Sequence, residues 1–85
     1  MRGPPDRVNT SEAIACIRKC AEDGVKILGL DGFVVVPEGF VAALDLLLDI
    51  SGQNLATEEA AARAEAFVRA KARPDVLWEV WTELS

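Results

Sequence analysis

The chain contains no histidine and no tyrosine. Histidine is the side chain that most readily gains and loses a proton near neutral pH, so the usual general acid–base group is missing. Cysteine is nearly absent too: Cys16 and Cys20 are the only two. Two cysteines do not make the dense disulfide framework of a small secreted domain. A tetrahedral zinc centre would also need more cysteine or histidine ligands than the chain owns. A nucleophilic cysteine would have to work with a lysine or carboxylate as its base. The helical periodicity around the pair instead places both partly on a packing face, where cysteine behaves as a small hydrophobe. These absences predict a protein that is not an enzyme, with no catalytic residue, cofactor or metal.

Basic residues are the minority, with 9 Lys and Arg against 14 Asp and Glu and a net charge of −5. No run clusters the Lys and Arg, so a phosphate-binding surface is not expected and nucleic acid is excluded as a partner. Long apolar runs are missing as well. The best stretch, Phe40 to Ile50, is interrupted by Asp45 and Asp49 and is too short to span a bilayer, so no membrane partner is expected. Met1 to Asn9 has no apolar core of the kind a secretory signal needs, which makes the cytoplasm the expected location.

What remains is apolar. Hydrophobic residues make up 51% of the 85 positions, enough to rule out a disordered chain. A domain of this size buries only roughly 60–65% of its unfolded surface, so some of that apolar area is expected to stay exposed.

The order of elements follows from local signals. Residues 1–8, polar and carrying Pro4-Pro5, read as a flexible tail ahead of one domain spanning 9–85. Asn9 as N-cap with Glu12 three positions into the helix predicts a capping box. Ala13, Ile14, Ile17 and Ala21 then recur at helical spacing up to Gly24, which suits a left-handed helix end. Two β-rich runs within Val25–Val36, separated by Asp31-Gly32, predict a hairpin with its turn at that dipeptide. Pro37-Glu38-Gly39 is read as a helix start, because Phe40, Ala43, Leu44, Leu47 and Leu48 follow a helical stripe. A strand over the same residues is set aside, since Leu46-Leu47-Leu48 breaks alternation. Thr57 opens a third helix, with Glu58 and Glu59 at its start, Arg69 and Lys71 near its end, and Pro74 stopping it. Val76 to Leu84 reads as a closing strand. The expected fold is α+β in the order α-β-β-α-α-β, a three-stranded mixed sheet with the helices packed on one face. In that arrangement the last strand runs antiparallel to the second and parallel to the first.

Two surfaces emerge as candidates for a partner. Alternation along the last strand separates Trp78 from Leu77, Glu79, Trp81 and Glu83; with Trp78 toward the helices the latter set lies on the open face, and the reversed choice leaves Trp78 outside. A tryptophan ringed by polar groups is typical of an interface anchor. Asp45 and Asp49, four apart on the expected second helix, form a carboxylate pair that reads as a solvated face or an acidic patch, and less well as part of a magnesium or calcium site. Glu59–Arg63 and Glu65–Arg69 are most simply local pairs that support the third helix.

The stretch Lys26-Ile27-Leu28-Gly29-Leu30-Asp31-Gly32-Phe33, followed by Leu44 to Ser51 and by Val76 to Val80, resembles small bacterial orphan proteins of the toxin-immunity type. The resemblance implies an acidic inhibitor of a basic toxin or enzyme. The expected function is therefore a non-enzymatic protein-binding domain, immunity-like, with a basic protein as partner. The alternative is a homodimer with a structural or regulatory role.

Overall fold

The computed structural model describes residues 5–84. Met1–Pro4, which carry half of the expected tail, lie outside the described residues, as does Ser85. Helix α1 spans Thr10–Glu22, strand β1 Ile27–Val36, strand β2 Gly39–Asp49, helix α2 Thr57–Lys71 and strand β3 Val76–Thr82, with a single 3-10 turn at Ser51–Gln53. The class is α+β, as composition and pattern predict. No helix among the described residues is long and apolar enough to cross a membrane.

Helix α1 begins as expected. The Asn9 side chain accepts the Glu12 N–H at 2.8 Å, and Glu12 Oε1 accepts the Asn9 N–H at 3.1 Å. Two orphan donors of the first turn are thereby satisfied. Gly24, with φ of +71°, follows the helix in the left-handed region.

The middle of the chain departs from the expectation in three linked ways. Asp31-Gly32 is no turn: β1 runs straight through it, and neither residue has a positive φ. The reversal sits at Pro37-Glu38, where Val36 pairs with Gly39. Proline suits the first central position of a tight turn, and Gly39 takes a φ of +135° that other residues resist. Phe40 to Leu48 is consequently a strand and not a helix, because its backbone groups are satisfied by pairing with β1. Leu46, Leu47 and Leu48 do alternate, with Leu46 and Leu48 toward the core and Leu47 exposed, so the run is continuous only because the open-face residue is apolar too. Asp31 faces Leu47 and Phe33 faces Ala42, so residues 43–46 bulge opposite the single residue Gly32. Leu46 turns into the core, where a Cβ on Gly32 would lie 2.5 Å from its own Cβ.

The third correction concerns strand direction. The sheet order is β2-β1-β3 and both pairings are antiparallel, so β3 is antiparallel to its neighbour β1 and the sheet is not mixed. The expected first and second strands are two halves of one central strand. Both helices cover one face. The core joins Ala13 and Ile17 of α1, Ala60, Ala64 and Val68 of α2, and Ile27, Leu30, Leu46, Val76 and Trp78 of the sheet. Trp78 is its largest member, fully buried, edge-on to Phe67 at 6.1 Å, with its indole N–H donated to Thr10 Oγ1 at 3.2 Å. An arginine–carboxylate clamp reinforces the helix pair from outside. Arg18 reaches Glu65 through two hydrogen bonds of 2.9 and 3.0 Å, and Arg69 joins the same carboxylate at 3.0 Å.

Candidate functional site

Period-two alternation decides what the uncovered face presents. On β3 it carries Leu77, Glu79 and Trp81; on β1 the residues opposite them are Phe33, Asp31 and Gly29. On β2 the residues paired with Gly29, Asp31, Phe33 and Val35 are Asp49, Leu47, Ala42 and Phe40. Trp81 and Asp49 therefore flank Gly29 from either side. One residue from each of the two expected surfaces thus lies on a single face, Trp81 from the strand and Asp49 from the expected helix.

Gly29 is what opens this part of the face. A Cβ there would sit 2.5 Å from the Leu48 carbonyl oxygen, so the position is closed to side chains. Above it lies a groove of about 310 Å³ whose walls include Asp31, Leu47, Asp49, Ser51 and Trp81. The Trp81 indole N–H donates to Asp31 Oδ2 at 2.9 Å, which fixes the ring against the groove. Asp49 accepts both the Ser51 N–H at 3.0 Å and the Ser51 hydroxyl at 2.7 Å. Those two donors hold its carboxyl below the ordinary range, so it stays ionised.

The other half of the face is already occupied. Val8 pairs with Trp78 at the outer edge of β3, exchanging backbone hydrogen bonds of 2.9 and 2.7 Å. Its neighbour Arg7 is thereby thrown across the sheet. The Arg7 Nε donates to Glu79 Oε2 at 3.0 Å, while the guanidinium stands 4.1 Å from the Phe33 ring centre and 4.8 Å from that of Phe40. Glu79, expected to be a free acidic contact, is only 7% exposed and is neutralised by this arginine.

The remaining expected residues distribute as follows. Leu77 is half-buried on the open face, opposite Phe33. Glu83 falls outside it, because β3 ends at Thr82 and the Glu83 carboxylate turns to accept the Lys26 N–H at 3.1 Å. Asp45 is exposed within the bulge, and it does not pair with Asp49 on a helix face, since no helix exists there. The magnesium or calcium reading of that pair loses its geometric basis. Cys16 is exposed, not packed as expected, and Cys20 is half-buried. Burial, followed by the neighbouring Cys16, pushes the Cys20 thiol up to about 11, which leaves it protonated and a poor nucleophile at neutral pH.

Asp31, Leu47, Phe33, Phe40 and Arg7 are the contributors that sequence reasoning missed. The turn signature of Asp31-Gly32 conceals Asp31, and the helical stripe conceals Leu47 and Phe40. A strand reading of Phe40 to Leu48 brings in Leu47 and Phe40, a continuous β1 brings in Asp31 and Phe33, and Arg7 is placed by the Val8–Trp78 pairing. Large apolar side chains remain exposed along β2, at Phe40, Val41, Leu44 and Leu47, and beside it at Val35. Comparison with family models, curated proteins and solved structures finds no match for the chain.

Proposed function

We propose that the chain is a small, non-enzymatic protein-binding domain, an acidic inhibitor or immunity-like protein whose uncovered sheet face receives a basic partner. The observation that supports it most directly is the composition of that face: exposed Leu47 lies near half-buried Trp81 with Asp31 and Asp49 around them, and Val35 and Phe40 are exposed further along the same face. Aromatic and aliphatic anchors with ionised groups at their side are the make-up of a recognition surface. The net charge of −5 favours fast encounter with a positively charged protein. The test is capture from the source organism on immobilised protein, with the double variant Trp81→Ala, Leu47→Asp as the comparison bait. A protein held by the wild type, released by salt and absent from the variant supports the reading. Identical captures on both baits refute it.

A homodimer is the second reading. It is favoured by the outer edge of β2, which no strand pairs among the described residues and whose eleven residues expose largely apolar side chains. Sedimentation distinguishes the two. A stable dimer that Val41→Lys dissolves supports self-association, and a monomer at high micromolar concentration excludes it.

A further inference from the structure

We infer that the groove above Gly29 is a seat for an arginine side chain of the protein partner, with Trp81 as its aromatic wall and Asp31 and Asp49 as its carboxylates. This rests on the protein-binding reading and specifies the chemistry of its contact. The face itself shows how a guanidinium is held there: Arg7 lies against Phe33 and Phe40 and bonds Glu79. The groove repeats those ingredients one residue pair further along the strands, with an indole in place of the phenyl rings. Among the described residues no lysine or arginine forms an ion pair with Asp31 or Asp49.

The charge distribution points the same way. Asp31 lies directly opposite Glu79 on the neighbouring strand, and Asp49 lies diagonally from Asp31 through the Gly29 pair. Among the described residues, three carboxylates therefore share this part of the sheet with one cation, Arg7, which is committed to Glu79. Like charges at such spacing repel, and a second cation between Asp31 and Asp49 relieves that repulsion. The internal hydrogen bonds do not use up the acceptors. Asp31 spends one oxygen on the indole and Asp49 one on Ser51, each leaving a second oxygen for a donor. Arginine fits better than lysine because its flat, weakly hydrated fork can stack on an indole and donate to two carboxylates at once.

The experiment is a titration of the full chain with the blocked peptide acetyl-Gly-Arg-Gly-amide, followed by NMR at the two indole N–H signals. The isosteric citrulline peptide, the lysine peptide and the variants Asp49→Asn and Asp45→Asn serve as comparisons. The expected result is a saturable shift of the Trp81 signal with arginine, a weaker one with lysine and none with citrulline. The Trp78 signal, buried on the opposite face, stays in place. Asp49→Asn weakens binding about fivefold or more, the equivalent of about 1 kcal/mol. Asp45→Asn changes net charge equally but lies outside the groove, and leaves affinity unchanged. Equal response to citrulline, or equal loss from both Asp variants, overturns the assignment. A groove that ignores the arginine peptide, in a protein whose partner capture still depends on Trp81 and Leu47, overturns this inference and leaves the protein-binding reading intact. Arginine binding without any partner capture overturns the protein-binding reading, and with it a partner as the source of the arginine, while the groove's preference for a guanidinium stands.

Discussion

Gly29 and Arg7 each do by one residue what their neighbours cannot. Gly29 lets the Leu48 carbonyl approach to where a Cβ would be 2.5 Å away, while Gly52 has nothing within 4 Å of that position. Gly29→Ala is accordingly expected to destabilise the fold by about 1–3 kcal/mol through overpacking. Gly52→Ala should stay within roughly 0.5 kcal/mol of wild type. Urea midpoints measure both, and equal effects would contradict the close approach. Arg7 covers a carboxylate that is otherwise enclosed. Removing it with Arg7→Ala strands Glu79, at a cost of about 1–3 kcal/mol for an unsatisfied buried acceptor. Adding Glu79→Gln removes the charge and should restore part of the loss. A double-mutant cycle that returns no coupling would mean that Glu79 finds water instead.

At the scale of elements, β2 separates what pattern can reveal from what it cannot. The helical stripe predicts Leu44 in the core and leaves Leu46 off it, whereas the strand with its bulge leaves Leu44 89% exposed and Leu46 2% exposed. Leu46→Ala should therefore cost about 2–4 kcal/mol, and Leu44→Ala close to nothing, by thermal or chemical denaturation. The reverse order would restore the helix. Where a signal is local, the sequence was readable. The Asn9–Glu12 box, the left-handed Gly24, the Glu65–Arg69 pair and the division of Trp78 from Trp81 all follow from spacing alone. What was illegible depends on residues far apart. Asp31-Gly32 carries an ordinary turn signature, yet Gly32 is a glycine because Leu46 fills its place. The leucine and alanine content of Phe40 to Leu48 favours a helix locally, and pairing with β1 outweighs that preference. The same two features govern the site: Trp81 is legible from its own strand, whereas Asp31 and Leu47 join it only because β1 is one continuous strand with β2 beside it.

For the molecule as a whole, the two helices are tied to each other on the outside by Glu65, whose carboxyl is drawn from 4.5 to about 2, chiefly by its hydrogen bond to Arg18 and then by that to Arg69. A depressed folded-state value means that the clamp stabilises the fold fully above about pH 4.5 and releases it as pH falls toward 2. Wild type should exceed Glu65→Gln in stability at neutral pH, with the gap closing through that window and vanishing below it. A gap of constant size down to pH 2 would assign the effect to packing instead. The pairing of Val8 with Trp78 acts at the same scale. It blocks the middle of the outer β3 edge, so a further strand cannot lie along that side, while the β2 edge stays open. A sheet with one usable edge has a valence of one. Among the described residues, edge pairing of the kind the homodimer reading requires would therefore join two copies and leave no second edge for a third.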